Sequence, residues 1–174
     1  MSPPFFIRGL DPAQTRAAAP ALADVLLDCV RGGASVSFMA DTTEADALAF
    51  WTGVADAADG RAVLVAEDAD GIFGVVEVIP AGPPNQPHRA DIAKMLVHRR
   101  GRRRGVAAAL LTAAESAARD MGKWLLVLDT VSGGDAERLY ARQGWTPVGA
   151  IPDYALTPDG ALCSTTVFYK RLAP

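Results

Sequence analysis

The sequence is short of the residues that build metal centres and disulfide frameworks. It holds two cysteines, Cys29 and Cys163, and two histidines, His88 and His98. None of them forms a Cys-x-x-Cys or a His-Glu-x-x-His, so spacing argues for no metal site. Two cysteines so far apart suit a reducing compartment, and the expected location is the cytoplasm. Nowhere do about 18 apolar residues run together without charge, so no transmembrane helix is expected. Met1 to Leu10 lacks the charged-then-apolar pattern of a signal peptide. Excess positive charge is missing too: the formal net charge is -3 and the pI about 5.3. A mildly acidic chain is a poor general binder of nucleic acid or anionic membrane, and neither is expected as a partner.

What is present fits one α/β domain over residues 1–174, half of it hydrophobic. Phe5 to Ile7 reads as a first strand. Asp11-Pro12 starts a helix, as an N-cap followed by proline at the first helical position. Pro20 is expected to break it, leaving a short helix and a second over Ala21 to Val30 that Gly32-Gly33 ends. Ala34 to Ala40 is an apolar loop. Thr42 or Thr43 opens a helix to about Ala58, with Leu48, Trp51 and Val54 on its apolar face. Arg61 to Glu67 and Ile72 to Ile79 form a hairpin through Asp68-Ala69-Asp70-Gly71. Pro80 to Pro87 is a loop. Asp91 to His98 is a strand, Val106 to Met121 a helix, Trp124 to Leu128 a strand and Asp135 to Arg142 a helix stopped by Gly144. Trp145 to Val148 and Ser164 to Lys170 are the last strands. This order predicts a mixed sheet covered by helices.

The segment between Val97 and Val106 carries the chemistry. Arg99-Arg100-Gly101-Arg102-Arg103-Arg104-Gly105 lies between an apolar strand and an alanine-rich helix. A helix start offers unsatisfied N–H groups and a positive dipole end, so anions collect there. Gly105 and Ala107 are small where a backbone must approach a ligand, and arginines suit phosphate. Other phosphate loops are excluded, for there is no Gly-x-x-x-x-Gly-Lys-Ser/Thr and no Gly-x-Gly-x-x-Gly. A nucleic-acid patch would account for the arginines, but the run has no interleaved aromatics. A solvated charged turn is the plain alternative.

Arg102-Arg103-Arg104-Gly105-Val106-Ala107 resembles the Arg/Gln-x-x-Gly-x-Gly/Ala signature of GNAT-superfamily N-acetyltransferases, with Leu110-Leu111 in place on the helix. Ala136-Glu137-Arg138-Leu139-Tyr140-Ala141-Arg142-Gln143-Gly144-Trp145 is similar to the superfamily's second marker, Ala-x-x-Leu-Tyr-x-x-x-Gly-Phe. The chain departs from it at Gly133, where the family often has an asparagine touching the cofactor. A narrower resemblance, to tabtoxin-resistance-like acetyltransferases, runs through Gly32 to Val36, Phe38 to Asp41, Val65 to Asp68, Leu128 to Thr130 and Thr157 to Gly160.

The resemblance implies a mostly antiparallel sheet of six or seven strands, flanked by helices and splayed between its two middle strands. It implies acetyl-CoA as co-substrate, with its pyrophosphate on the loop Arg102 to Ala107 and its pantetheine arm along Leu96 and Val97. The N–H of Leu96 or Val97 would polarise the thioester. The acceptor would be a small-molecule amine such as an amino-acid-like toxin. A peptide or protein amine, or acetyl-CoA binding without catalysis, are the alternatives. Tyr140 is the expected general acid, because a phenol keeps its proton at neutral pH. Asp91 and Asp129 are candidate bases, one at a strand start and one at a strand's C-terminal edge. An exposed strand end and a turn residue are their plain readings. Phe38, Met39, Asp41 and Trp51 are candidates for the acceptor pocket, with Trp51 read foremost as core. Both cysteines read as small buried apolar residues. Oligomeric state stays open, a homodimer included.

Overall fold

The computed structural model describes residues 4–173, so the first three residues of the Met1 to Leu10 reading lie outside it. The elements are β1 (Phe6–Leu10), α1 (Pro12–Arg31), α2 (Glu44–Asp56), β2 (Ala62–Asp68), β3 (Gly71–Pro80) and β4 (Arg89–Val97). A single 3₁₀ turn, Arg99–Gly101, leads to α3 (Val106–Asp120), β5 (Leu125–Val131), α4 (Asp135–Arg142), β6 (Thr146–Leu156) and β7 (Leu162–Arg171). No helix among the described residues is long and apolar enough to cross a membrane.

The seven strands form one sheet in the order β1-β2-β3-β4-β5-β7-β6. Strands β1 to β4 are an antiparallel meander, and β5, β7 and β6 are an antiparallel group. The two groups join by a parallel pairing of Arg89, Ala90 and Asp91 with Leu125, Leu126 and Val127. Beyond Asp91 the strands part, so Ile92 to Val97 lie alongside a gap rather than a neighbour on the β5 side. The splayed mixed sheet is the expected architecture.

Alternation along β2 and β3 sends side chains to both faces, and helices cover both. Leu22, Val25, Leu26, Trp51 and Val54 of α1 and α2 pack on Val63, Val65, Val75 and Leu96. On the other face, Leu110, Leu111 and Ala114 of α3 pack on Phe73, Val76, Val78 and Leu126. Trp51 is wholly buried in the first of these clusters.

Several boundaries differ from expectation: β5 runs on to Val131 and β6 to Leu156, past the expected ends at Leu128 and Val148, and the first helix is not divided. Pro20 does not break the first helix, which runs unbroken from Pro12 to Arg31 behind an Asp11–Gln14 capping box. A proline removes one backbone hydrogen bond, here to the Arg16 carbonyl. Both residues lie on the exposed side of the helix. The opposite stripe, with Ala19, Leu22, Ala23 and Leu26, is buried on the sheet along both halves. That burial outweighs one lost bond.

Candidate functional site

The arginine run is held in place by two acids from outside it. Asp28, on the last turns of α1, accepts the Arg99 backbone N–H at 2.8 Å and its guanidinium. His98 lies 3.6 Å and Arg102 3.9 Å from the same carboxylate. Burial alone would raise the Asp28 pKa, but the Arg99 donors outweigh it and hold the carboxyl below its usual range. Asp68, at the β2–β3 turn, pairs with Arg100 at 2.9 Å and Arg104 at 3.2 Å. Both guanidinium groups stack over Phe73, at 4.6 and 4.8 Å.

Of the three arginines expected on the phosphate loop, Arg104 therefore turns into the β2–β3 hairpin. Arg102 donates to the Val97 carbonyl at 3.3 Å. Arg103 is exposed, with a left-handed φ of 60°. Gly105 is left-handed as well, at φ 76°, and caps α3 with no side chain. The first amides of α3, at Val106 and Ala107, are thus free of a capping side chain.

A cavity of about 800 Å³ opens in the gap between β4 and β5. Its floor is Ile92 to Val97 with Asp129 to Val131. The loop Ala34 to Met39 forms one wall, and β6 with β7, at Tyr154 to Thr157 and Cys163 to Thr165, forms another. Hydrogen bonds tie these walls together, and the Cys163 thiol donates to Ser35 Oγ at 3.9 Å. Ser35 Oγ donates to the Leu156 carbonyl at 2.8 Å, and the Ala40 N–H to the Pro158 carbonyl at 3.0 Å. Gly134 to Ala136, at the start of α4, line the cavity too. Gly133, preceding them, is left-handed and donates its N–H to Glu137.

The structure brings Tyr140, Asp129, Leu96, Val97 and Phe38 to this cavity. Tyr140 is buried against Trp145 and Phe168. Burial, then the charge of Asp129, pushes its pKa up to about 12. Asp129 is exposed to the cavity and held by the Thr165 hydroxyl at 2.8 Å. Asp91 is placed differently: it pairs with Arg89 at 2.5 Å, in the paired part of β4, away from the cavity lining. Asp41 is exposed in the turn before α2 and does not line the cavity either. Cys29 is buried, as expected, but Cys163 is only half-buried on the cavity wall.

Sequence reasoning missed Lys94, Glu77 and Thr165. Each had a signal, since each interrupts or borders an apolar run: Val-Val-Glu-Val, Ala-Lys-Met-Leu, Ser-Thr-Thr-Val. A slip in register puts Lys94 and Met95 opposite one residue of β3, with Lys94 at φ 48°. That is a β-bulge, a device that re-aims side chains. Lys94 consequently lines the cavity, and Glu77 lies buried nearby, paired with Arg61 at 2.6 Å.

The cavity and loop suit an acetyl-CoA molecule: an uncapped helix start for phosphate, and an unpaired strand edge for an amide-bearing arm. Comparison with known proteins agrees. The family model for the acetyltransferase (GNAT) domain matches residues 59–147. The fold is that of yncA of Salmonella typhimurium, a protein named as a candidate acetyltransferase and solved with acetyl-CoA. The TM-score is 0.80 and the identity 20%, over 98% of this chain and 95% of that one. Similar too is a ribosomal-protein-alanine N-acetyltransferase of Brucella melitensis (TM-score 0.77, 22% identity, 96% and 99% covered). A protein named as a candidate phosphinothricin N-acetyltransferase matches at TM-score 0.81 and 18% identity, over 98% and 100%. With its signature loop, splayed strands and matching family model, the chain belongs to the GNAT family and is an acetyl-CoA-dependent acetyltransferase.

Proposed function

We propose that the chain acetylates the amine of a small molecule, by direct transfer with both substrates in the one cavity. The observation that carries this reading is the meeting of Tyr140, Asp129 and the unpaired β4 edge around a space walled by the Ala34 to Met39 loop. Such a wall suits a small acceptor better than a polypeptide. Acetyl-CoA supplies the activated acetyl group. The protein holds and orients it through the α3 amides at Val106 and Ala107, with Arg102 and Arg103 alongside. The N–H of Leu96 or Val97 polarises the thioester oxygen as a fixed donor that needs no reorganisation.

Asp129 takes the amine's proton, directly or through a water. It is preferred to Asp91, whose carboxylate is engaged by Arg89 on the paired stretch of β4. Tyr140 offers its O–H to the departing sulfur. A phenol near 12 holds its proton more firmly than an ordinary thiol at about 8.5. Tyr140 therefore acts chiefly as a hydrogen-bond donor while charge builds on sulfur.

The resemblance of segments such as Gly32 to Val36 and Thr157 to Gly160 to tabtoxin-resistance-like enzymes puts β-lactam-type amino acids at the head of the amine screen, with toxin resistance as the role to test. Two cysteines far apart in the sequence suit the reducing, cytoplasmic setting proposed for the chain. The test is calorimetric titration with acetyl-CoA of the native chain and of Gly105→Glu. The variant puts a carboxylate at a left-handed position beside the α3 amides. Loss of binding with the fold intact supports phosphate binding on this loop. Equal binding by both proteins refutes it. Acetylation of peptides but of no free amine overturns the small-molecule reading.

A further inference from the structure

Lys94 is the one cation among the described residues that line the cavity. Its ammonium lies 5.9 Å from the centre of the Phe38 ring and 5.5 Å from that of Phe50. The left-handed backbone at the bulge puts it there, on the part of the cavity wall that Phe38 forms. Acidic groups surround it but none closes on it. Glu77, behind it, is 1% exposed and engaged by Arg61, which Asp59 holds in turn at 2.6 Å. Asp129 is near enough for its charge to be felt at Lys94, yet its nearest hydrogen bond is to Thr165. No hydrogen bond or ion pair within 4 Å reaches the Lys94 ammonium from any described residue. A half-buried ammonium carries three donors and costs free energy to desolvate unless an acceptor meets them.

We propose that Lys94 binds an anionic group, a carboxylate or comparable oxyanion, on the amine acceptor, and so selects zwitterionic amines over di- and polyamines and peptide N-termini. This rests on the small-molecule reading above. With the anion at Lys94, the amine of a compact zwitterion lies toward Asp129, the carboxylate on the same cavity that would take its proton. A polyamine would bring a second cation against Lys94. A peptide has no carboxylate close to its N-terminal amine. Glu77 and Asp59 are both engaged by Arg61, which leaves the Lys94 ammonium open to an anion from the cavity.

The experiment is steady-state kinetics on free amino acids, each paired with its amide and its decarboxylated amine, with spermidine and a short peptide alongside. Native protein, Lys94→Gln and Lys94→Arg are compared, with acetyl-CoA binding by calorimetry as the check on folding. The native chain is expected to prefer the acid to its amide by about ten- to a hundredfold in kcat/KM, the range of one charge-assisted hydrogen bond. In Lys94→Gln that preference collapses, mainly through KM. Lys94→Arg, which keeps the charge but is no base, restores most of it. Equal use of acid and amide by the native chain overturns the assignment and leaves the small-molecule reading standing. So does a Lys94→Gln variant that keeps the preference, or a Lys94→Arg variant that fails to restore it. Turnover of peptides alone overturns both.

Discussion

Tyr140 and Asp28 show how position sets the behaviour of a titrating side chain. Burial first, and Asp129 second, hold the Tyr140 proton up to about 12. The donor is therefore present throughout the neutral range and is lost only as pH rises through about 12. Tyr140→Phe is expected to lower kcat about a hundredfold while leaving acetyl-CoA affinity in place. The native pH–rate profile should show no fall near pH 10 that the variant lacks; such a fall would contradict the assignment. Asp28 is the opposite case, a carboxyl held below its usual range by Arg99 donors. Its stabilising contribution is present above the unfolded value of about 3.9 and disappears as pH falls through the lower folded value. Asp28→Ala is expected to cost roughly 1–3 kcal/mol in urea unfolding at pH 7. The gap between variant and native protein should narrow in acid below the ordinary carboxylate range.

The element that matters most is the turn between β4 and α3. It is fixed at one end by Asp28 and at the other by Asp68, and pressed onto Phe73 by two arginines. Gly101 is buried within it, and a Cβ there would clash with the edge of the Phe73 ring, 2.8 Å from its Cε2, and lie 3.2 Å from Val97. Gly101→Ala is therefore expected to destabilise the protein by about 1–3 kcal/mol, the usual cost of overpacking. Because the turn sets the approach to α3, acetyl-CoA binding should weaken with it. Paired unfolding and calorimetric measurements check both. A variant as stable and as tight-binding as the native chain would show that the turn does not need this contact.

At the scale of the whole molecule, the sheet is two antiparallel halves joined by three residue pairs. The gap beyond the joint is the cavity. Ligand seated along an unpaired strand edge should tie the halves together. Acetyl-CoA at about a hundred times its Kd adds roughly 2.7 kcal/mol to stability by mass action alone. For a chain of this size that raises Tm by about 5–10 °C. A thermal melt that does not move at saturating acetyl-CoA would contradict binding in the gap.

Local chemistry alone determined a good deal. The Asp11-Pro12 start, the Asp68 to Gly71 hairpin and the helices flanking the arginine run follow from caps, turn residues and apolar spacing, and these act over a few residues. The signature loop and Tyr140 were legible for the same reason, since both lie within short motifs. Only the tertiary structure decided which charges meet. Asp28 reaches Arg99 across 71 residues, and Thr165 reaches Asp129 across 36. Pro20 stayed inside a helix because a buried stripe on the sheet outweighed one lost hydrogen bond. Asp91 and Asp129 looked alike as strand-end acids, and the splay of β4 from β5 separated them, leaving one on a paired stretch and the other on the cavity. Lys94 gained its position from a one-residue slip in register. A slip of that kind depends on the neighbouring strand and leaves no mark in local periodicity.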